Sequence, residues 1–320
     1  MNTVAKLTKK YYAICDFYSL EELRDRFLEQ NLNLWERKKL YQGKDKLFAK
    51  LEKVFCQLVK ARNKIAKPKK YENYFDFIAN WDSIPKKELD NFFSKSKKLI
   101  KQINVQLPFK RLPNWYWSEY NIPNASLLYK FPSIPIPDKV LDVLEIKFSK
   151  LKNIKRRIEF KQRKQRYNLA LPNLKKQTVT IYYDKTDTTP LGAVNLAHEI
   201  GHALAFLKLM DEKKDPESKS NYWYEKQAIL SELAFEETLP ENVRNIIRDR
   251  ILYHFVLTFF EHSIYINPNQ DFGKAFAQAN GICYPTRQKE NSLYLLNTFL
   301  IEKPCYSTIY SVLYIKLLAD

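Results

Sequence analysis

Apolar residues at helical spacing recur through most of the chain. Leu47, Leu51, Val54, Phe55, Leu58 and Val59 share one face of a 3.6-residue repeat, which predicts a helix from about 44 to 64, stopped by Pro68. Ahead of it, Ser19-Leu20-Glu21-Glu22 reads as a capping box, with Leu20, Leu23, Phe27, Leu34 and Leu40 following at roughly helical spacing. Asp82 or Ser83 is the expected cap of another helix, with Pro85 near its first position and apolar residues to about Ile103. Further helices are expected from about 138 to 166, from Thr189-Pro190 to about Met210, over 222–238 up to Pro240, over 241–264, and from Pro304 to the end.

Two stretches break the pattern. Residues 107–137 hold Pro108, Pro113, Pro123, Pro132, Pro135 and Pro137 with Trp115, Tyr116 and Trp117, and read as a long packed loop. Gln177 to Tyr183, QTVTIYY, is dominated by β-branched and aromatic residues and reads as a strand. The fold class is therefore mainly α with a small β element. There is no internal repeat and no low-complexity tract.

Composition narrows the function classes. A chain of 320 residues, 45% hydrophobic and 14% aromatic, can bury a large core. Five glycines are few, and neither GxGxxG nor GxxxxGK[ST] occurs, which removes the common phosphate-binding loops. Cys15, Cys56, Cys283 and Cys305 contain no CxxC pair, so a cysteine zinc ribbon is excluded. The first twenty residues lack an apolar run of signal-peptide length, and no stretch of eighteen apolar residues occurs. The expected setting is a thiol-reduced cytoplasm. The formal net charge of +18 raises affinity for anionic partners, although lysine-rich solvated faces account for most such excesses.

The chemistry concentrates at His198-Glu199-Ile200-Gly201-His202, an HExxH pattern inside an expected helix. Catalytic zinc wants three protein ligands and one open position. Histidines four residues apart on a helix face the same side. Glu199, rotated by about 100° from His198, reaches the open position without ligating and can act as general base on a zinc-bound water. Gly201 costs a helix interior about 1 kcal/mol relative to alanine, which a close neighbour would explain. Position 208 is Lys208, so HExxHxxGxxH is ruled out. The third ligand must come from elsewhere: His254, His262, or more plausibly a carboxylate. The helix 222–238 offers Glu225, Glu232, Glu236 and Glu237. Glu225 and Glu232 lie seven apart on one face, so one can ligate while the other orients a histidine.

These segments resemble the thimet oligopeptidase and oligoendopeptidase F family of zinc peptidases. TIYYDKTDTTPLGAVNLAHEIGHALA (178–205) is similar to that family's strand, short loop and HExxH helix. WYEKQAILSE (223–232) matches its glutamate, six residues, glutamate pattern, and PCYSTIYSVLYIKLLA (304–319) its late helix with paired tyrosines. FFEHSIY (259–265) and the following DFGKAFAQANGICY resemble the segment before that helix. The likeness covers about 175–320, and family members are usually much longer.

The resemblance implies a helical two-lobed metallopeptidase with the β element beside the active-site helix and a deep substrate groove. Residues 1–170 would form a basic helical wall of that groove and 171–320 the catalytic region. It implies one zinc ion on His198, His202 and Glu225, Glu232 behind them, Glu199 as base, and Tyr306 and Tyr310 contacting substrate and the developing oxyanion. The strand 177–183 would pair with the substrate backbone. One position departs: the family's histidine shortly before the tyrosine helix has no counterpart in 297–303. The implied activity is hydrolysis of short peptides, with no membrane and no nucleic-acid partner. Two competing classes are a basic helical nucleic-acid-binding protein with a structural or vestigial metal site, motivated by KNIKRRIEFKQRKQR (152–166), and a non-catalytic peptide-binding member of the same fold. The run has one aromatic and no stacking platform, and the intact Glu199 argues for chemistry.

Overall fold

A computed structural model describes residues 3–17, 45–106, 132–134, 137–148, 155–163, 168–285, 293–297 and 299–319. The capping box at 19–22 and nearly all of the proline-rich stretch 107–137 lie outside them. The described residues are mostly helical, with one small sheet. Packing divides the chain into two compact units. One is built from Met1–Pro123 and Arg248–Ile315, the other from Asn124–Ile247 with Lys316–Leu318.

The first unit contains α1 (Thr3–Phe17), α2 (Asp45–Ala66), α3 (Tyr74–Trp81) and α4 (Lys86–Gln106). It also takes most of α8 (Glu241–Ile266), with α9 (Phe272–Cys283), the single turn α10 (Phe299–Glu302) and most of α11 (Tyr306–Leu318). The apolar stripe expected in α2 is its buried face: Leu51, Leu58 and Val59 are fully covered. Phe55 on that stripe meets Phe272 edge-on at 5.9 Å and Tyr294 at 5.5 Å between ring centres. Such pairs add to the area they bury.

A buried polar group threads this core. Arg62 donates from Nη1 to the Leu300 carbonyl (2.8 Å) and to the Tyr265 hydroxyl (3.1 Å), and from Nη2 to the Ile301 carbonyl (2.6 Å). Glu261 accepts the Cys305 N–H at 2.7 Å. Both side chains are buried, and together they fix the chain just ahead of α11.

The second unit holds α5 (Asp138–Lys147), a three-stranded sheet, α6 (Pro190–Asp211), α7 (Asn221–Glu236) and the start of α8. The sheet order is β1 (Ile158–Gln162), β3 (Thr178–Tyr183), β2 (Leu169–Asn173). β1 runs parallel to β3 and β2 antiparallel to it. Val179, Ile181 and Tyr183 alternate into the core, as period-2 patterning requires.

Two expectations are corrected. The helix from 138 ends at Lys147, and Ile158–Gln162 forms β1. Ile158 and Phe160 alternate and pair with Val179 and Ile181, while a single helix would have concentrated nine like charges between 150 and 166. Lys155, Arg157 and Lys161 instead each meet a carboxylate, of Glu145, Asp211 and Glu159. The second correction concerns 177–183. β3 is the central strand, paired on both sides, so it has no free edge to offer a peptide. Among the described residues the outer strands are β1 and β2.

Candidate metal centre

Two packed helices build the centre. α6 starts where the sequence says: Thr189 is the N-cap, its Oγ1 accepting the Gly192 N–H at 3.0 Å, with Pro190 in the first turn. α7 starts at Ser220, whose side chain accepts the Trp223 N–H. Gly201 lets the two helices approach. A Cβ there would lie 2.6 Å from the Ala228 Cα and 2.7 Å from the Gln227 carbonyl, both backbone atoms of α7. The glycine inside HExxH is a packing requirement of the α6–α7 contact.

That approach brings the donors together. His198 and His202 on α6 and Glu225 on α7 each offer a ligand atom, all within 4.8 Å of one another. Glu225 Oε2 lies 3.2 Å from His198 Nε2, and Oε1 lies 3.6 Å from His202 Nε2. Zinc–ligand bonds near 2.0–2.1 Å give a tetrahedron edge of about 3.3–3.4 Å, so both separations are those of neighbouring ligands on one ion. Two imidazoles and one carboxylate are a donor set that suits a divalent transition metal, zinc among them.

Glu232 sits behind. Its Oε2 is 3.1 Å from His198 Nδ1. With Nδ1–H donated to Glu232, Nε2 keeps its lone pair for a metal. Burial alone would lower the His198 pKa, but the hydrogen bonds and charges of Glu225 and Glu232 outweigh it and pull it up to about 10. The pocket therefore favours a positive charge beside two buried carboxylates, which a divalent cation would supply. Glu236, one turn beyond Glu232, is fully buried, and Glu237 is exposed and paired with Lys147 at 2.9 Å.

Glu199 points another way, as its position on α6 dictates. It is half-buried, and its Oε2 accepts the backbone N–H of Ala170 in β2 at 2.8 Å. Sequence reading missed this strand. Its signal was LALPN, a short uncharged apolar run whose proline marks an edge.

The remaining candidates lie in the first unit. Tyr306 and Tyr310 sit one turn apart on α11, their rings 5.8 Å apart. His254 of α8 stacks on Tyr310 at 4.6 Å with the planes 7° apart, and its Nδ1 lies 3.4 Å from Ser307 Oγ. His262 packs between Phe75 and Phe93. Among the described residues no helix is long and apolar enough to cross a membrane.

No protein-family model matches this sequence, and no curated protein matches it. Solved structures do match in fold. A protein described as an oligoendopeptidase F aligns with a TM-score of 0.61 and 13% identity, over 97% of this chain and 64% of that one. PZ peptidase A, solved with an inhibitor, aligns at 0.55 and 15% identity, over 97% and 63%. A protein of Bacillus anthracis described as an oligoendopeptidase F aligns at 0.53 and 14% identity, over 92% and 57%. The fold is thus that of helical oligoendopeptidases, and this chain spans less than two thirds of each of theirs.

Proposed function

We propose that this chain is a zinc-dependent peptidase that hydrolyses short peptides. The observation that carries the reading is the convergence of His198, His202 and Glu225 at ligand–ligand spacing, with Glu232 on the far nitrogen of His198. Zinc, when bound, acts as a Lewis acid and lowers the pKa of water toward about 7.

The chain's own residues do the rest. Glu232 holds the His198 ring in the tautomer that leaves Nε2 open. Glu199 takes the proton of the attacking water and returns it to the leaving amine. Release of the Ala170 N–H by Glu199 frees that donor for a substrate carbonyl. Tyr306 and Tyr310, by the resemblance noted above, supply hydroxyl donors to the carbonyl oxygen as it becomes negative. Four free cysteines fit a reducing compartment such as the cytoplasm.

The test measures bound zinc and cleavage of a quenched fluorescent peptide for wild type and Glu199→Gln. The variant is expected to keep its zinc and to lose roughly 100-fold or more in rate, the scale of a positioned general base. Equal cleavage by both proteins would overturn the reading.

A further inference from the structure

Trp81 ends α3 and is 72% exposed. Among the described residues the next most open phenylalanine or tryptophan is Phe299, at 38%. Phe75 and Ala79 take the inner face of α3, so helix geometry turns positions 77 and 81 outward. The Phe77 and Trp81 rings meet there with centres 6.2 Å apart. The Tyr71 ring, from the turn before the helix, lies 5.5 Å from Phe77. Three rings in contact thus form a row on the outer face of α3, Tyr71 and Phe77 half-buried and Trp81 open.

Lysines precede and follow this row along the chain. A single 3-10 turn, Lys67–Lys69, leads from α2 toward Tyr71, and Lys67, Lys69 and Lys70 are exposed. Lys86 and Lys87, five and six residues beyond Trp81, open α4 and are exposed too. No ion pair among the described residues involves any of these five. Lys86 and Lys87 also stand in the first turn of α4, where the helix dipole disfavours a cation. Folding therefore gives no reason for this charge. Most of the net +18 belongs to the unit that carries it. The basic run of 152–166 differs on both counts, since its Lys155, Arg157 and Lys161 are paired and it has no such row of rings.

We infer that this corner of the first unit binds single-stranded nucleic acid, with one base stacked on the Trp81 indole and the lysines holding phosphates of the same strand. Such surfaces combine cations that track the backbone with aromatic faces, and they tolerate any sequence because every base has a π-face. Two other anionic partners fit less of the surface. A bilayer takes up an apolar helix face, yet Ile78 is half-buried and Ile84 buried, so the segment has rings and charge but little aliphatic surface to insert. An acidic polypeptide matches the lysines and leaves the indole unused. The inference is independent of the peptidase reading, because it involves neither zinc nor the HExxH helix.

The experiment measures fluorescence anisotropy of a labelled oligothymidylate and of an abasic strand of equal length on the full chain. Wild type is expected to bind the thymidylate about tenfold tighter, the scale of one stacked base. Trp81→Ala should erase that preference by weakening the thymidylate alone, at an unchanged melting temperature, and Trp81→Phe should keep it within about threefold. Lys67→Gln/Lys69→Gln/Lys70→Asn should weaken both strands alike and flatten the dependence of log affinity on log salt by roughly two, at about 0.7 for each phosphate no longer neutralised. Asparagine is chosen at Lys70 because that residue has φ 66°. Equal binding of the two strands by wild type, or a preference that survives Trp81→Ala, would overturn the inference. Displacement of the thymidylate by polyglutamate as readily as by unlabelled strand would overturn it in favour of an acidic polypeptide. Sedimentation with phosphatidylserine vesicles that depends on Trp81, without a preference between the strands, would overturn it in favour of a membrane.

Discussion

At the scale of single residues, Glu225 and Glu232 divide the work that the sequence left open between them. Glu225 faces both histidine Nε2 atoms, and Glu232 faces only the Nδ1 of His198. Glu225→Ala is expected to abolish stoichiometric zinc binding, while Glu232→Ala should keep the site but weaken its zinc affinity by roughly 10- to 100-fold. Zinc titration against a chelating dye separates the two, and a reversed order would reassign the ligand. Gly201 is the other decisive residue. The atoms a Cβ would strike are backbone of α7, which cannot swing aside. Gly201→Ala is expected to destabilise the chain by about 1–3 kcal/mol despite alanine's better helix propensity, visible as a lower denaturation midpoint. The HExxH letters were legible in the sequence. That a glycine was required between them for helix–helix contact was only a conjecture until α7 was placed.

Among the elements, helices with sharp chemical punctuation were read nearly to the residue. Thr189 and Pro190 open α6, and Pro240 closes the region after α7. Thr189→Ala should cost about 1 kcal/mol, since it removes the acceptor of the Gly192 N–H, and thermal melting would register it. A neutral outcome would mean that Asp187 alone holds the turn, since its carboxylate also accepts the Thr189 backbone N–H at 3.3 Å. The strands were read less well. QTVTIYY announced a strand, but not that it would be central. β1 was hidden in a basic run that helical spacing also fitted, and β2 is five residues with a proline. Short strands gain their identity from the partner beside them, so local composition carries little of it.

For the whole molecule, the buried link between Arg62, Glu261 and the 300–305 segment predicts a pH dependence of stability. Burial raises the Glu261 carboxyl to about 8, against the opposing pull of the Cys305 N–H and of Arg62. In the unfolded chain the group titrates near about 4.3. The folded state therefore holds a proton that the unfolded state gives up across this window. Its contribution is most favourable below the unfolded pKa and declines as pH rises toward 8, levelling off beyond it. Denaturant midpoints of wild type should fall between about pH 5 and 8 more steeply than those of Glu261→Gln. Parallel curves would show that Glu261 stays ionised in the fold.

The sequence by itself determined the HExxH helix, its cap, the carboxylate helix with its glutamates seven residues apart and the mainly helical class. Each of these is written in local spacing: four residues for one helical face, seven for two turns, and a polar cap before an apolar run. Only the tertiary structure decided which glutamate faces the histidines, why a glycine stands between them, and which strand lies at the centre of the sheet. Those answers depend on how close two helices come and in what order three strands pair. Such distances are set by residues far apart in the chain, so no window of the sequence contains them.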